Sequence, residues 1–292
     1  MSLGTFILLL VMALFGGLSD VFRKMMLKDV PEYVGLSTIM LVFAVPTGLL
    51  MLTWYGVPEF NIKVVYALSG SIPLYATTIY ILFRALKEGE ISLIAPIIGL
   101  TPVATMIGEF LVLGQVPSII GMVGIAVVTM GTYMLHMHKL EDGILSPFRN
   151  MSKDLGTRYA LVFVVLFIPL VPLEKMVVAE SNPAVAMIAE SLALGIIFAM
   201  LAAFKNPTDF KKAWEHKETV SIAAVCWSTS MVFLYAGLAL TLASYVMAVR
   251  SLAILVALTL GWHMFGEPVE KRIPGASLII AGIIMIALSK PV

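Results

Sequence analysis

Charge is scarce in this chain: 13% of its 292 residues are Asp, Glu, Lys or Arg, where a soluble domain carries about 25%. That scarcity argues against an ordinary globular surface, and a net charge of +1 leaves no basic footprint for nucleic acid. Cysteine is nearly absent. The single Cys226 lies inside an apolar segment, which rules out an intrachain disulfide and a multi-cysteine metal site. Histidine is limited to four residues, three of them at the ends of apolar segments, and no H-E-x-x-H occurs. No metal, no cofactor and no catalytic constellation is therefore assigned, and the chain reads as no enzyme. A glycine-rich P-loop is also missing, so ATP does not drive a process through this chain. The first apolar segment follows a start without Lys or Arg and runs straight into charged residues and another segment, which argues against a cleaved signal peptide.

Apolar sequence is abundant instead, at 60% of the chain. It falls into ten stretches, roughly 3–22, 33–54, 64–85, 91–113, 117–137, 157–178, 183–204, 218–240, 242–264 and 273–290. A helix needs about 20 residues to cross the ~30 Å hydrocarbon core. The expected fold is an all-α polytopic membrane protein of ten transmembrane helices, with no length left for a soluble catalytic domain. Polar punctuation separates the spans, for example Asp29-Val30-Pro31-Glu32 and Gly114-Gln115-Val116-Pro117. Of the 19 Lys and Arg residues, 15 follow odd-numbered spans: Arg23, Lys24, Lys28, Arg84, Lys87, Lys139, Arg149, Lys153, Arg158, Lys205, Lys211, Lys212, Lys217, Lys271 and Arg272. By the positive-inside rule those connections are cytoplasmic and both termini external, in the cell membrane.

The second five spans echo the first five. A shift of 152 places Leu86 on Leu238, Ser92 on Ser244 and Gly114-Gln115 on Gly266-Glu267. A shift of 151 places Lys24-Met25 on Lys175-Met176. The reading is two five-helix repeats, residues 1–138 and 157–292, joined by a cytoplasmic linker over 139–156. Five spans per half is an odd number, so the halves have opposite orientations. Such a 5+5 inverted repeat is a hallmark of secondary transporters, with the substrate site near the midplane.

The punctuation also carries a resemblance. Ala85-Leu86, Ser92, Pro102, Leu113-Gly114-Gln115 and Gly121 in the first half, with Gly237-Leu238, Ser244, Phe265-Gly266-Glu267 and Gly275 in the second, resemble the drug/metabolite transporter (DMT) superfamily of EamA type. Gln115 replaces the family's Glu, Ile254 stands where Pro102 has its repeat partner, Phe15-Gly16 replaces Trp-Gly, and Ser37-Thr38 stands where the family often has an arginine. The resemblance implies ten helices, a central cavity lined by spans 1–4 and 6–9, and alternating access for a small metabolite. An amino acid or related compound is preferred; proton coupling and a homodimer are open. The alternatives are a lipid or lipid-linked flippase of the same fold and a non-transporting sensor.

Charges at bilayer depth need a reason, because each costs about 2.5–3.5 kcal/mol on insertion scales. Arg250, inside the ninth span, is a candidate anion-binding group, since a guanidinium grips a carboxylate with two parallel bonds. Glu190 and Glu109 are candidate counter-ions or coupling carboxylates. Tyr80, Trp227, Tyr235 and Tyr245 are candidate substrate-packing aromatics. Asp20, Arg23 and Lys24, Arg84, and Glu174 with Lys175 are candidate gate or helix-end ion pairs. Pro96, Gly99 and Pro102 mark a hinge in the fourth span. Gly121, Gly124, Gly275 and Gly282 predict close packing of spans 5 and 10, either internal or between copies.

Overall fold

The computed structural model describes residues 1–58, 61–89, 91–137, 154–265 and 272–289, and among them every regular element is helical. Most of the linker over 139–156, Gly266-Glu267 and Lys271 lie outside the described residues. Eight helices are long and apolar enough to cross a membrane. They are α1 (Leu3–Met26), α2 (Glu32–Tyr55), α3 (Ile62–Glu88), α4, α6 (Leu155–Glu180), α7 (Pro183–Lys205), α8 (Lys217–Leu240) and α9. The fourth, α4, comprises Ile91–Ile98 and Thr101–Leu113; the ninth, α9, comprises Ala243–Arg250 and Leu252–Phe265. Two shorter apolar helices complete the set, α5 (Ile119–Met137) and α10 (Ile273–Leu288). A separate helix, Asp209–Glu215, lies in the α7–α8 connection.

Several helices begin at residues suited to the task. Ser2, Asn61, Asp154 and Asn182 each accept a backbone N–H of the first turn with a side-chain oxygen, at 3.1, 3.0, 2.6 and 3.0 Å. Helices also run past their apolar cores. α1 continues through Asp20, Arg23 and Lys24 because the Arg23–Asp20 pair, 2.8 Å apart, shares a helix face. In α2 the hydrogen-bond ladder widens to a π-helical turn over Ile39–Ala44. Pro46 follows, lacks an N–H and crowds the preceding turn, so the ladder shifts by one residue there.

Contacts between connections sort the two ends of the bundle. At one end Tyr33 donates to Asp209 Oδ2 at 3.0 Å, His216 Nδ1 lies 3.8 Å from Asp29, and Arg84 reaches Tyr159 at 3.4 Å. These residues flank connections after odd-numbered helices; this is the odd end. At the other, Asn61 donates to Glu180 Oε2 at 2.8 Å, Asn182 to the Gly56 carbonyl at 3.0 Å, and the Met1 amine to the Ser289 carbonyl at 2.9 Å. This even end gathers the even connections and the helix ends nearest both termini.

Helix packing follows a few broad contacts: α1 on α8 and α9, α3 and α4 on α6, α2 on α7, and α5 on α10. The α5–α10 seam is a backbone-to-backbone crossing. A Cβ on Gly124 would stand 2.8 Å from the Gly282 carbonyl oxygen, and one on Gly131 would stand 2.7 Å from that of Gly275. The glycine packing expected for spans 5 and 10 is thus internal to the chain.

Candidate functional site

A group of polar and charged side chains from α3, α6, α7, α8 and α9 converges inside the bundle. Glu190 on α7 is 1% exposed and accepts a 2.6 Å hydrogen bond from the Tyr235 hydroxyl on α8. Its other oxygen, Oε1, is buried without a hydrogen-bond partner, and so is the hydroxyl of Ser71 on α3, which faces the same carboxylate. Glu174 on α6 is buried, and the charges of Glu190 and Arg250 act on it. Tyr75, one turn along α3 from Ser71, lies in the field of Glu174, Arg250 and Glu190. Among the described residues, no carboxylate lies within ion-pairing distance of Arg250.

The depth of this group follows from helix geometry. At about 1.5 Å per residue, Glu190 is seven residues into α7, Glu174 six residues before the end of α6, and Arg250 seven residues past the start of α9. All three are counted from the even end, so they sit about 9–11 Å inside it. Two buried carboxylates, the buried Tyr235 phenol, and the half-buried Arg250 guanidinium and Tyr75 phenol therefore gather between that end and the midplane. Such a set can hold an ammonium on the carboxylates and a carboxylate on the guanidinium at once.

Other expected site residues go elsewhere. Glu109, fully buried on α4, is no partner of Arg250: its Oε1 lies 2.7 Å from Lys175 Nζ. The same carboxylate accepts the N–H of Ala243 at 2.6 Å, the N–H of Ser244 at 3.2 Å and the Ser244 hydroxyl at 2.7 Å. It thereby caps α9, whose own N-cap residue Leu242 has no side chain for the task. Lys175 also donates to Gln115 at 2.7 Å. Glu174 and Lys175 thus do not pair; adjacent on a helix, they point about 100° apart, one inward and one to Glu109.

Tyr245 is buried in contact with α5 and α10, its hydroxyl 3.2 Å from Ser289 Oγ. Tyr80 is 59% exposed on the outer face of α3. Trp227 is buried on α8 eight residues before Tyr235, about 12 Å farther toward the odd end. Asp20 and Arg23 pair at the odd end of α1, where Lys24 also has a partner. Arg84 pairs with Glu88 at 3.4 Å and lies over the Tyr159 ring.

Pro96, Gly99 and Pro102 bracket the break in α4 at Gly99-Leu100. α9 is broken at Ser251, which the 152-residue shift places on Gly99, although Ile254 stands in the place of Pro102. Sequence reasoning missed Ser71 and this second break. A small hydroxyl in an apolar run and a break without proline leave little trace, and only the repeat shift points to the latter.

Residues 3–137 match the family model of the EamA-like transporter family. The first half of this chain is EamA-like. Its resemblance to DMT-type transporters, anticipated by the polar punctuation, is shown there, and eight apolar helices fit a multi-pass membrane protein. A solved structure described as "Crystal structure of protein" superimposes with a TM-score of 0.65, covering 95% of this chain and 98% of that one. At 17% identity it shares the fold alone. No curated protein matches the chain.

Proposed function

We propose that the chain is a secondary active transporter of a small zwitterionic metabolite, an amino acid or related compound. The observation that carries this reading is the interior group itself. Among the described residues Arg250, half-buried, has no ion-pair partner, and the buried Glu190 carboxylate meets no cation, only the hydroxyls of Tyr235 and Ser71. Buried charges are normally paired, because an unpaired one costs several kcal/mol. A ligand that brings an ammonium to Glu190 and Glu174 and a carboxylate to Arg250 supplies the missing partners.

The architecture supports ten helices in a 5+5 inverted arrangement. Exchanging the two halves maps the α1–α8 contact onto α6–α3, the α4–α6 contact onto α9–α1, and the break in α4 onto that in α9. α2–α7 and α5–α10 map onto themselves. Alternating access is then a rocking of the two repeats about the shared site. Lys and Arg crowd the odd end, which supports a cytoplasmic odd end and external termini in the cell membrane.

The test is counterflow in liposomes holding the purified protein, with amino acids, nucleotide sugars and organic cations as exchange partners. Saturable amino-acid exchange that is lost in Arg250→Ala and Glu190→Gln is the expected result. Exchange that survives both substitutions would sink the assignment of the site, and exchange of cations alone would overturn the zwitterion.

A further inference from the structure

We propose that a groove on the outer surface of α2 and α8, at the odd end, binds one phospholipid with a primary-amine head group, its phosphate on Lys217 and its ammonium on Glu218. The groove has a volume of about 850 Å³, within the range of built ligand pockets. Its walls are Val42 and Phe43 from the π-helical turn of α2, Ile222 from α8, and Phe210 and Trp214 from the helix Asp209–Glu215. Val42 and Ile222 are 59% and 44% exposed, so the groove opens sideways, where hydrocarbon surrounds a membrane-spanning chain. Its lining suits an acyl chain.

The polar end is equally defined. Lys217 and Glu218 both line the groove, at the start of α8. The neighbouring lysines are engaged, Lys212 with Asp209 at 2.9 Å and Lys211 with Glu215 at 3.6 Å. Lys217 instead holds its ammonium over the Trp214 ring, 5.4 Å from the centroid, and neither it nor Glu218 has an ion pair within 4 Å among the described residues. Trp214 and the lysine thus form the tryptophan-and-cation pairing typical of a membrane interface. No side chain caps α8 here, so its first-turn N–H groups add to the pull on a phosphate.

Charge complementarity selects the head group. A cation and an anion side by side match a phosphate and an ammonium two carbons apart. An anionic head without an amine would set its phosphate beside the Glu218 carboxylate, and a quaternary choline has no N–H to donate to it. This inference requires the chain to lie in a bilayer and does not rest on the transport reading.

The test is native mass spectrometry of the delipidated full-length protein. It is offered phosphatidylethanolamine, phosphatidylcholine and phosphatidylglycerol of identical acyl chains. Wild type should retain one phosphatidylethanolamine, with at least about a tenfold preference over the other two, a difference of 1.4 kcal/mol. Lys217→Ala should lose the retained lipid, and Glu218→Gln should erase the preference for ethanolamine over choline. Both side chains are exposed, so the variants should keep the wild-type melting temperature in detergent. Equal retention of all three lipids, or retention unchanged in Lys217→Ala, would mean ordinary annular lipid and overturn the site. A preference for phosphatidylglycerol would overturn the amine assignment, and the wild-type competition decides this even if a variant fails to fold.

Discussion

Lys175 Nζ lies 2.7 Å from Glu109 Oε1, and that same carboxylate receives the backbone N–H of Ala243 at 2.6 Å. One side chain of the first half thus ties α6 and the start of α9, both in the second half, at the even end of the bundle. A fully buried carboxylate is tolerable there because four donors converge on it. If the halves separate at this end during transport, this knot has to open.

Removing the cation should expose how much the knot matters. Lys175→Met leaves Glu109 buried with its charge unmatched, and breaking such a pair costs about 3–5 kcal/mol. Reversible unfolding in SDS–detergent mixtures should show a loss of that order. Glu109→Gln in the Lys175→Met background should recover part of it, since an amide oxygen still accepts from Ala243 without carrying charge. Additive losses in the double variant would refute a direct coupling.

Gly108 carries a sharper steric prediction. A Cβ there would stand 1.6 Å from the Ile168 carbonyl oxygen, a backbone atom that cannot swing aside. Gly108→Ala must therefore push α4 off α6 and should destabilise by about 3 kcal/mol or more. Gly4, with nothing within 4 Å of its Cβ position, provides the control. Gly4→Ala should leave the melting temperature unchanged, and equal behaviour of the two variants would contradict this packing.

Much of this architecture is legible from sequence, because apolar length and proline position act locally. Spans of about 20 residues and the break at Gly99 both follow from the chain's own neighbours. The site is less legible. Glu109, Glu174, Glu190 and Arg250 announce themselves as charges in apolar runs, but their partners come from other helices. Glu109 looks like a cavity carboxylate until α9 is seen to lack a cap of its own. Ser71 is silent because a serine in an apolar helix carries no signal until it meets a carboxylate.

The α7–α8 connection should respond to acid. Asp209 accepts from Lys212 and Tyr33, and the Lys212 hydrogen bond foremost holds its carboxyl below the usual range. A depressed folded value contributes stability above the unfolded value of about 3.9, and that contribution is lost as pH falls through the folded value. Lys212 is raised, chiefly by its hydrogen bond to Asp209, so its share persists until pH climbs through its own raised value. The opening free energy of 206–216, read from hydrogen exchange after division by the intrinsic rate at each pH, should owe no change to these two groups between pH 5 and 9 and should fall below about pH 4. Asp209→Asn should remove the acid limb, and a limb that persists would assign it to another group.

Tyr235→Phe separates a binding role of Glu190 from a structural one. The substitution deletes the hydroxyl that donates to Glu190 at 2.6 Å and keeps the ring that packs in the core. A hydrogen bond to a charged group is worth about 1.5–3 kcal/mol. If Glu190 holds a substrate ammonium, its position is set by this bond, and the apparent KM for exchange should rise about 10- to 100-fold. Unfolding should shift by a smaller amount, because Glu190 Oε1 already lacks a partner and the carboxylate can relax toward Ser71. A wild-type KM with a large loss of stability would instead make the Tyr235–Glu190 pair a strut of the α7–α8 contact. The substrate ammonium would then have to be sought at Glu174.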